Sequence, residues 1–439
     1  MRIKRITQAS IYEIFTMHEL AQELKVISAW LDCHTQILDW VEADLCREGI
    51  KDTGRLGMSV ESVLRCALLK QYWQWTYREL EYHLMDSDTA YGFARLGKYR
   101  GFSDSTLQQT IHQIRWETWE RINRLFGCAM LAGKWESLYR ARIDSTVTQT
   151  HIHAPSDSTL LADGMRLLNR LSERMRQEGL VVNWSNHSRV VKKRLNEIRS
   201  AKGKDQRRTS YRKLLKVVQA SVKRFRAMSQ SHEGTWKAEA ERVLCRMSQV
   251  IDQTQRRVLK GEQVPVQDKI VSLFEAHTNI IVKDRRETQY GHKLNLTTGR
   301  AGFVLDVVVE DGNPADSARL KPMAERIREI YGRLPKQVAA DAGYASKEGV
   351  KAVRESGVKA VGLPRKRGMT VAEMSGSDWL YKTLKRFRAG IEGNISTLKR
   401  AFGLGRCLWR GLEGFKAYVL SSVFAYNLGH YARLVRQTV

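Results

Sequence analysis

The first third of the chain carries apolar residues at helical spacing. Between residues 10 and 47, apolar side chains such as Ile11, Ile14 and Trp30 recur mostly three or four positions apart, which predicts a packing or self-association helix. The pattern resumes in SVESVLRCALLKQYWQW, where Ser59 is suited to be the N-cap. A further helix, TYRELEYHLMDS, follows after a very short break.

The next stretch, GKYRGFSDSTLQQTIHQIRWETWERINRLF, predicts a helix that begins with polar residues. Ser103 or Asp104 is suited to cap it. Its first turns expose small polar side chains that suit contact with base edges or phosphates, namely Ser105, Thr106, Gln108 and Gln109. Short helices with glycine-containing turns indicate a helix-turn-helix, and a plain helical bundle explains the same pattern equally well.

From Trp135 the spacing changes to that of a strand. In ESLYRARIDSTVTQTH, Leu138, Arg140, Arg142 and Asp144 alternate with Tyr139, Ala141 and Ile143, which predicts a strand with Asp144 at its far end. By itself the Asp-Ser-Thr triplet fits a turn or an N-cap as well as a ligand site.

Residues 158–262 return to helical spacing and are strongly basic. From Arg189 to Arg226 there are 15 lysines and arginines, against Glu197 and Asp205. Apolar positions persist, so a basic helical hairpin is favoured over a disordered tail. A solvated charged face is the plain alternative, but DNA phosphates would supply the missing counter-charge. The candidate DNA contacts here are Lys192, Lys193, Arg194, Arg207, Arg208 and Arg212.

Strands and helices alternate in the last third. Strands are predicted at residues 279–284, 290–298, 303–311, 338–340 and 358–364. Asn313-Pro314 predicts the start of a helix, with Asn at the N-cap and Pro at the first helical position, and Ser346 is suited to cap another. Alternating strands and helices predict an α/β unit with parallel pairing, and Asp341 directly follows one of its strands.

The segment YKTLKRFRAGIEGNISTLKRAF, residues 381–402, predicts an amphipathic helix. Its apolar stripe contains Ile391, Ile395, Leu398 and Phe402, and its flank carries Arg388, Glu392 and Lys399. An ordinary exposed helix of mixed charge is the plain alternative. The stretch AYVLSSVFAYNLGHYARLV predicts a terminal amphipathic helix with core contacts.

Composition points to a polyanionic partner. The 439 residues carry 74 lysines and arginines against 47 acids, a net charge of +27 and a sequence pI of about 9.9. Nucleic acid is the first candidate partner and an anionic membrane the second. No segment predicts a transmembrane span or a signal core, so we expect a soluble intracellular protein. The six scattered cysteines predict reduced thiols.

The carboxylates suggest chemistry when they are considered together. In open α/β sheets, sites form at the carboxyl ends of strands, where Asp144 and Asp341 are predicted, and Glu392 lies on the helix that follows. Three converging carboxylates need a cation, and oxygen ligands suit Mg²⁺ or Mn²⁺. Two such ions can activate an attacking oxygen and stabilise a leaving one at phosphorus.

These residues also resemble a known family. The DST at 144–146, the DAGY at 341–344 and the R-x3-E-x6-K of Arg388, Glu392 and Lys399 resemble the DDE transposases of bacterial insertion sequences. YGHKLNLTTG, EDGNPADS, ADAGYAS and RFRAGIEGNISTLKRAFGLGRCLWRGL are similar to the ISNCY group. The resemblance begins near residue 56, and the last third is its most specific part.

The resemblance implies an α/β fold with a ribonuclease-H-like core, a mixed sheet flanked by helices. It implies that Asp144, Asp341 and Glu392 hold two Mg²⁺ ions, with Mn²⁺ as a possible substitute, and that Arg388 and Lys399 contact DNA. The reaction would be hydrolysis at transposon ends, followed by strand transfer to target DNA by the freed 3′-hydroxyl. A cytoplasmic, nucleoid-associated protein that acts as a dimer or larger assembly is expected, because two ends must be paired.

The expected domains follow the changes of pattern. They are an N-terminal helical segment at 1–55, a helical DNA-binding domain at 56–132, the core at 133–157 and 263–415, the basic insertion at 158–262 and a C-terminal helix at 416–439. Two rival functions stay open. One is a nuclease that cuts without joining, and the other is a non-enzymatic DNA-binding protein.

Three further residues need separate treatment. The wider family signature has a tyrosine three residues before the arginine, whereas this chain has Lys385 there, so the tyrosine's role does not transfer and Lys385 is taken as a DNA contact. Lys293 would contact phosphate if it shares the face of the strand ends; an exposed strand lysine is the plain alternative. His292 is predicted to be a packed histidine, since metal-assisted phosphoryl transfer does not need one.

Overall fold

A computed structural model describes Lys4 and residues 18–47, 57–97, 101–283, 287–364 and 369–438. The chain forms two compact units. The first comprises Met1–Thr150 and Gly291–Val439, and the second comprises His151–Tyr290. The second unit therefore extends beyond both limits of the predicted 158–262 insertion.

The N-terminal part of the first unit is helical, as its spacing predicts. The helices among its described residues are α1 (Glu19–Cys33), α2 (Gln36–Leu45), α3 (Val60–Trp73), α4 (Tyr77–Asp86), α5 (Asp88–Ala94), α6 (Asp104–Ile111) and α7 (Trp116–Ala132). Ser59 caps α3 by accepting a hydrogen bond from the Ser62 amide. Thr76 and Glu79 form a capping box at the start of α4, and only three residues separate α4 from the end of α3.

The prediction of one helix across residues 10–47 is wrong, because α1 and α2 are separate helices. The break lies at His34, whose ring stacks on Trp30 at 4.1 Å and whose Nδ1 lies 2.7 Å from the Trp30 carbonyl oxygen. This local bond competes with continuation of the helix. Residues 10–17 of that prediction lie outside the described residues.

The second unit is built on four helices with their own core. They are α8 (Asp157–Gln177), α9 (Ser188–Ser200), α10 (Lys204–Gln230) and α11 (Lys237–Thr254). Their apolar faces meet in one cluster that includes Leu168, Leu214, Phe225 and Trp236. The basic segment is thus helical, and α9 packs against α10.

A mixed sheet lies mainly in the first unit; β2 and residues Glu287–Tyr290 of β3 belong to the second unit. The described strands are β1 (Arg140–Thr150), β2 (Asn279–Lys283), β3 (Glu287–Thr298), β4 (Val304–Val309), β5 (Gln337–Ala340), β6 (Ala360–Gly362) and β7 (Arg406–Cys407). Their order is β2-β3-β1-β5-β6, with β4 on β3 and β7 on β1. β1 runs antiparallel to β3 and parallel to β5, and β5 is parallel to β6.

The remaining helices flank this sheet. They are α12 (Leu320–Tyr331), α13 (Lys347–Glu355), α14 (Val371–Met374), α15 (Asp378–Ala401) and α16 (Gly411–Thr438). α15 packs against β1, β5 and β6. Apolar residues of α12 and α13 join Ile143, Val338 and Ala340 in a separate cluster on the opposite face. A mixed sheet flanked by helices is consistent with a ribonuclease-H-like core.

The predicted start of the helix after β4 is wrong. Asn313 and Pro314 do not open a helix; α12 begins at Leu320, after a short 3-10 turn at Asp316–Ala318. The Pro314 carbonyl oxygen instead accepts a hydrogen bond from Lys293 Nζ at 2.8 Å, which ties this segment to β3.

α16 has the core contacts predicted for it, but it is not amphipathic. Its central residues are buried on nearly all sides, including the polar Ser422 and Asn427. The Val304 amide donates to Asn427 Oδ1 at 2.9 Å, and Asn427 Nδ2 donates to the Val304 carbonyl oxygen at 2.9 Å. A helix buried all round belongs to a core, and α16 contacts α1, α3 and α7. No helix in the described part of the chain is long and apolar enough to cross a membrane.

The cap of α15 gives a first stability prediction. Ser377 Oγ accepts a hydrogen bond from the Leu380 amide at 3.3 Å. We expect Ser377→Ala to lower the free energy of unfolding by about 1 kcal/mol, the usual cost of losing an N-cap. The midpoint of urea unfolding measures this. Ser396→Ala removes a hydroxyl from the interior of the same helix and should leave the midpoint nearly unchanged; equal losses in both variants would contradict the capping role.

Candidate active site

The register of the parallel strands brings Asp144 beside Asp341. The last registered pair of β1 and β5 is Ile143 with Ala340, and the two aspartates follow it directly. Asp341 keeps an extended backbone at φ −76° and ψ 166°. Since neighbouring strands lie about 4.8 Å apart, the two carboxylates start from backbones that are one strand spacing apart.

Asp144 is not at the end of its strand, so that prediction is wrong. β1 continues to Thr150 because the long strand β3 supplies partners as far as Gln149. Only the pairing with the four-residue strand β5 stops at Ile143. Asp144 therefore lies where the parallel pairing ends, and its strand continues past it.

Both aspartates point to the sheet face that carries α15. Arg142 pairs with Ala339 in the register, and Ala339 packs against Leu384 of α15. Side chains two residues apart on a strand share a face. Asp144, two residues after Arg142, and Asp341, two residues after Ala339, thus lie on this face.

Arg142 joins the strand to the helix. Its guanidinium lies 4.6 Å from the Phe387 ring centroid. Its Nε donates to Thr298 Oγ1 at 3.2 Å and its Nη2 to the Gly299 carbonyl oxygen at 2.9 Å. An ideal Cβ on Gly390 would stand 1.8 Å from Arg142 Nη1. Glycine at 390 therefore permits the close approach of α15 to β1.

Arg388 connects two of the candidate carboxylates. Its Nη1 lies 3.3 Å from Asp341 Oδ1, and its Nη2 lies 2.9 Å from Glu392 Oε1. The Asp341 and Glu392 side chains are 48% and 61% exposed, whereas that of Arg388 is 21% exposed. The structure thus brings Asp341 and Glu392 together on one guanidinium at an open surface.

A second polar cluster lies on the opposite face of the sheet. Ser145 points away from Asp144, and its Oγ donates to Asp316 Oδ2 at 3.3 Å. Asp316 Oδ1 lies 2.6 Å from Lys293 Nζ. Lys293 is 8% exposed, so it is not the exposed strand lysine of the plain alternative. Because it contacts Asp316, as Ser145 does, it lies on the face opposite Asp144. Its contact with DNA stays a prediction.

Tyr344 lies near carboxylates on both faces of the sheet. It is fully buried, and its hydroxyl donates to Asn295 Oδ1. Burial raises the pKa of the Tyr344 phenol above its ordinary value, and the nearby carboxylates of Asp316, Asp144 and Asp341 raise it further. The phenol is therefore neutral and acts as a hydrogen-bond donor beneath the two aspartates.

The other predicted residues lie at varied places. His292 is buried, and its ring lies 4.7 Å from that of Phe415, which confirms a packed histidine. Lys385 is exposed and Lys399 half-buried on α15. The candidate DNA contacts of the N-terminal domain are exposed on α6, namely Thr106, Gln108 and Gln109. In the second unit, Lys192, Lys193, Arg207 and Arg212 are exposed, and Arg194 and Arg208 are half-buried.

The carboxylates of Asp144, Asp341 and Glu392 are chemically suitable ligands for a divalent ion, but they are not arranged as a complete ligand set. Carboxylate oxygens suit Mg²⁺ and Mn²⁺, and Asp144 and Asp341 are adjacent. Within the described ranges, however, no group of three or more His, Cys, Asp or Glu residues is arranged to hold a metal ion. Glu392 bonds to Arg388 instead.

Three residues that help to build the site were missed by sequence reasoning. Arg142 was assigned to the correct strand face, but its contact with α15 depends on tertiary structure. Asp316 lies in the quoted EDGNPADS segment, and Tyr344 lies in the quoted DAGY segment. Their positions in these motifs could have marked both residues as candidates, but their contacts cannot be read from the sequence.

One comparison with known proteins bears on this geometry. Residues 272–428 match the family model described as a transposase DDE domain. The match includes Asp341, Arg388 and Glu392 but not Asp144. It supports a DDE transposase family and a transposase function in general, and this family implies DNA binding and generally uses divalent metals. No curated protein and no solved structure matches the chain.

Proposed function

We propose that this protein is a DNA transposase that cleaves the ends of an insertion sequence of the ISNCY-like group and joins their 3′-hydroxyls to target DNA. The observation that carries the proposal is the placement of the candidate carboxylates where the parallel pairing of β1 and β5 ends. Asp144 and Asp341 share a face, and Asp341 shares a guanidinium with Glu392.

The three carboxylates have distinct supports in this proposal. Asp144 and Asp341 are held by the sheet, and Glu392 is held by α15, which the Arg142 contact fixes against β1. These are the residues that would hold two divalent ions, Mg²⁺ or Mn²⁺. When bound, such ions activate an attacking oxygen and stabilise the leaving one in an in-line displacement.

Cations next to the carboxylates would orient the DNA backbone. Arg388, Lys385 and Lys399 lie on α15 within two turns of Glu392, and an arginine fork is suited to phosphate oxygens. The exposed side chains of α6 would read the end sequence or contact its phosphates. Two copies of the chain would hold two ends, since both must be joined to one target.

The test is a reaction with purified protein, DNA carrying the terminal repeats that flank its gene, Mg²⁺ and a target plasmid. Cleaved ends together with joined product support the transposase. Cleavage without joined product would favour a nuclease, and binding without either product would favour a non-enzymatic DNA-binding protein.

The basic hairpin of α9 and α10 gives a prediction about salt dependence. Among the described cations of residues 189–226, Arg194 is the one with an ion pair, to Glu197 at 2.8 Å. We expect the alanine variant at Lys192, Lys193, Arg207 and Arg212 to weaken DNA binding. The slope of log affinity against log salt concentration should become less negative by about 0.9 for each phosphate contact removed.

A control variant uses cations of the same unit that acids already neutralise. Arg176 lies 3.0 Å from Glu173 Oε2, and Lys237 forms an ion pair with Glu233. Alanine at Arg176 and Lys237 should leave the slope nearly unchanged. Fluorescence anisotropy over a salt series measures both variants. An unchanged slope in the hairpin variant would contradict a phosphate-binding role for α9 and α10.

A further inference from the structure

We infer that Arg388 is a built-in cation that occupies the carboxylates of the site before divalent ions bind. Its guanidinium and the ions would compete for Asp341 and Glu392, and release of Arg388 would free it for a DNA phosphate. This inference rests on the proposed function, because it takes Asp341 and Glu392 to be metal ligands.

The contacts of Arg388 carry the competition. The two nitrogens of one guanidinium each meet a different carboxylate, at 3.3 Å to Asp341 Oδ1 and 2.9 Å to Glu392 Oε1. These oxygens are the donors that a hard cation would need. The carboxylates come from separate elements, a strand end and a helix, so Arg388 also draws the helix towards the strand.

The competition is reversible because the site is open. Ion pairs with solvent access are weak and are screened by salt, and both carboxylates are about half exposed or more. A divalent ion places two charges on the same oxygens and can displace a single guanidinium. Among the described residues, Asp144, Asp341 and Glu392 included, no three acids are arranged to hold a metal ion, which agrees with Arg388 holding Glu392 away from a shared ligand position.

The same contacts couple ions to DNA. A guanidinium that bridges two carboxylates cannot also present its fork to a phosphate. Either ligand alone must therefore break the bridge, whereas the second ligand finds it already broken. Ions and DNA should then strengthen each other's binding by the same factor.

The decisive experiment titrates Mn²⁺ into the full-length protein without DNA and follows the free ion by electron paramagnetic resonance. We expect Arg388→Ala to bind Mn²⁺ about tenfold more tightly than the unsubstituted protein, within the usual range for coupled sites. Arg388→Met, which keeps the length of the aliphatic stem, should behave in the same way if Arg388→Ala folds poorly.

Arg386→Ala is the matched control. Arg386 is exposed on the same helix, two residues away, so its removal corrects for the general loss of one positive charge. Its Mn²⁺ affinity should change much less than that of Arg388→Ala. A mixed-sequence duplex added to the titration should tighten Mn²⁺ binding in the unsubstituted protein and do so much less in Arg388→Ala.

The outcomes separate this inference from the proposed function. Unchanged or weaker Mn²⁺ binding in both Arg388 variants overturns the inference, because a residue that only binds phosphate or only supports the fold would give those results. If Asp341→Asn and Glu392→Gln both leave Mn²⁺ binding intact, the metal site itself fails, and the proposed function fails with it.

Discussion

Glu392→Gln should abolish both end cleavage and strand transfer while leaving end binding largely intact. The amide keeps the size of the side chain but loses the negative charge that a divalent ion requires. We expect both rates to fall by about a thousandfold or more, since removing one well-placed electrostatic group from an active site already costs 10²–10³-fold. Gel assays of cleaved and joined DNA measure the rates, and anisotropy measures binding.

Glu413→Gln is the control for this change. Glu413 lies on another helix of the same unit, its side chain is 68% exposed, and it pairs with Lys416 at 3.5 Å. Its replacement should leave both rates within about twofold, because exposed ion pairs of this kind contribute little. Full strand transfer by Glu392→Gln would show that the third ligand has been assigned to the wrong residue.

The helix that carries Glu392 was well predicted because its periodicity is a local property. Ile391 and Leu398 are fully buried, and Phe402 is 3% exposed, as the apolar stripe predicts. Ser377 and Ser346 act as N-caps, and of these two only Ser346 was predicted. Capping and periodicity depend on residues within one or two turns, so one sequence contains enough information for them.

The position of Asp144 within β1 depends on other strands. Alternation predicted which face Asp144 occupies, but the end of the strand is set by the lengths of β3 and β5. β3 pairs with β1 as far as Gln149, whereas β5 ends at Ala340. A strand's length is therefore not a property of its own residues when its two neighbours differ in length.

Buried cations were the hardest feature to predict. Arg142 and Lys293 have buried side chains, although arginine and lysine are exposed by default. Each is buried because distant groups supply acceptors: the Gly299 carbonyl oxygen for Arg142, and Asp316 with the Pro314 carbonyl oxygen for Lys293. Such acceptors cannot be read from the spacing of residues along one strand.

The two buried cations support the site from opposite faces of the sheet. Arg142 fixes α15, and hence Arg388 and Glu392, against β1. Lys293 neutralises Asp316, which accepts a hydrogen bond from Ser145 directly after Asp144. The positions of Asp144 and Glu392 thus depend on charges that are satisfied within the protein and not by DNA or ions. A change that moves Arg142 should therefore disturb the carboxylates without touching them.

Gly390→Ala tests that dependence. The new methyl group would stand 1.8 Å from Arg142 Nη1 and 3.0 Å from its Cζ. Arg142 cannot turn away freely, because Thr298 and Gly299 hold its guanidinium and the Phe387 ring covers it. Overpacking of this kind costs about 1–3 kcal/mol, and it should exceed the gain of about 1 kcal/mol that alanine brings to a helix interior.

Gly393→Ala is the matched control on the same helix. An ideal Cβ at Gly393 meets nothing within 4 Å, so this variant should unfold at the same or a higher temperature than the unsubstituted protein. Gly390→Ala should unfold several degrees lower, and its end cleavage should fall up to about a hundredfold, the cost of misplacing a catalytic group by about 1 Å. Equal melting temperatures and rates in the two variants would mean that the contact between Arg142 and α15 does not position Glu392.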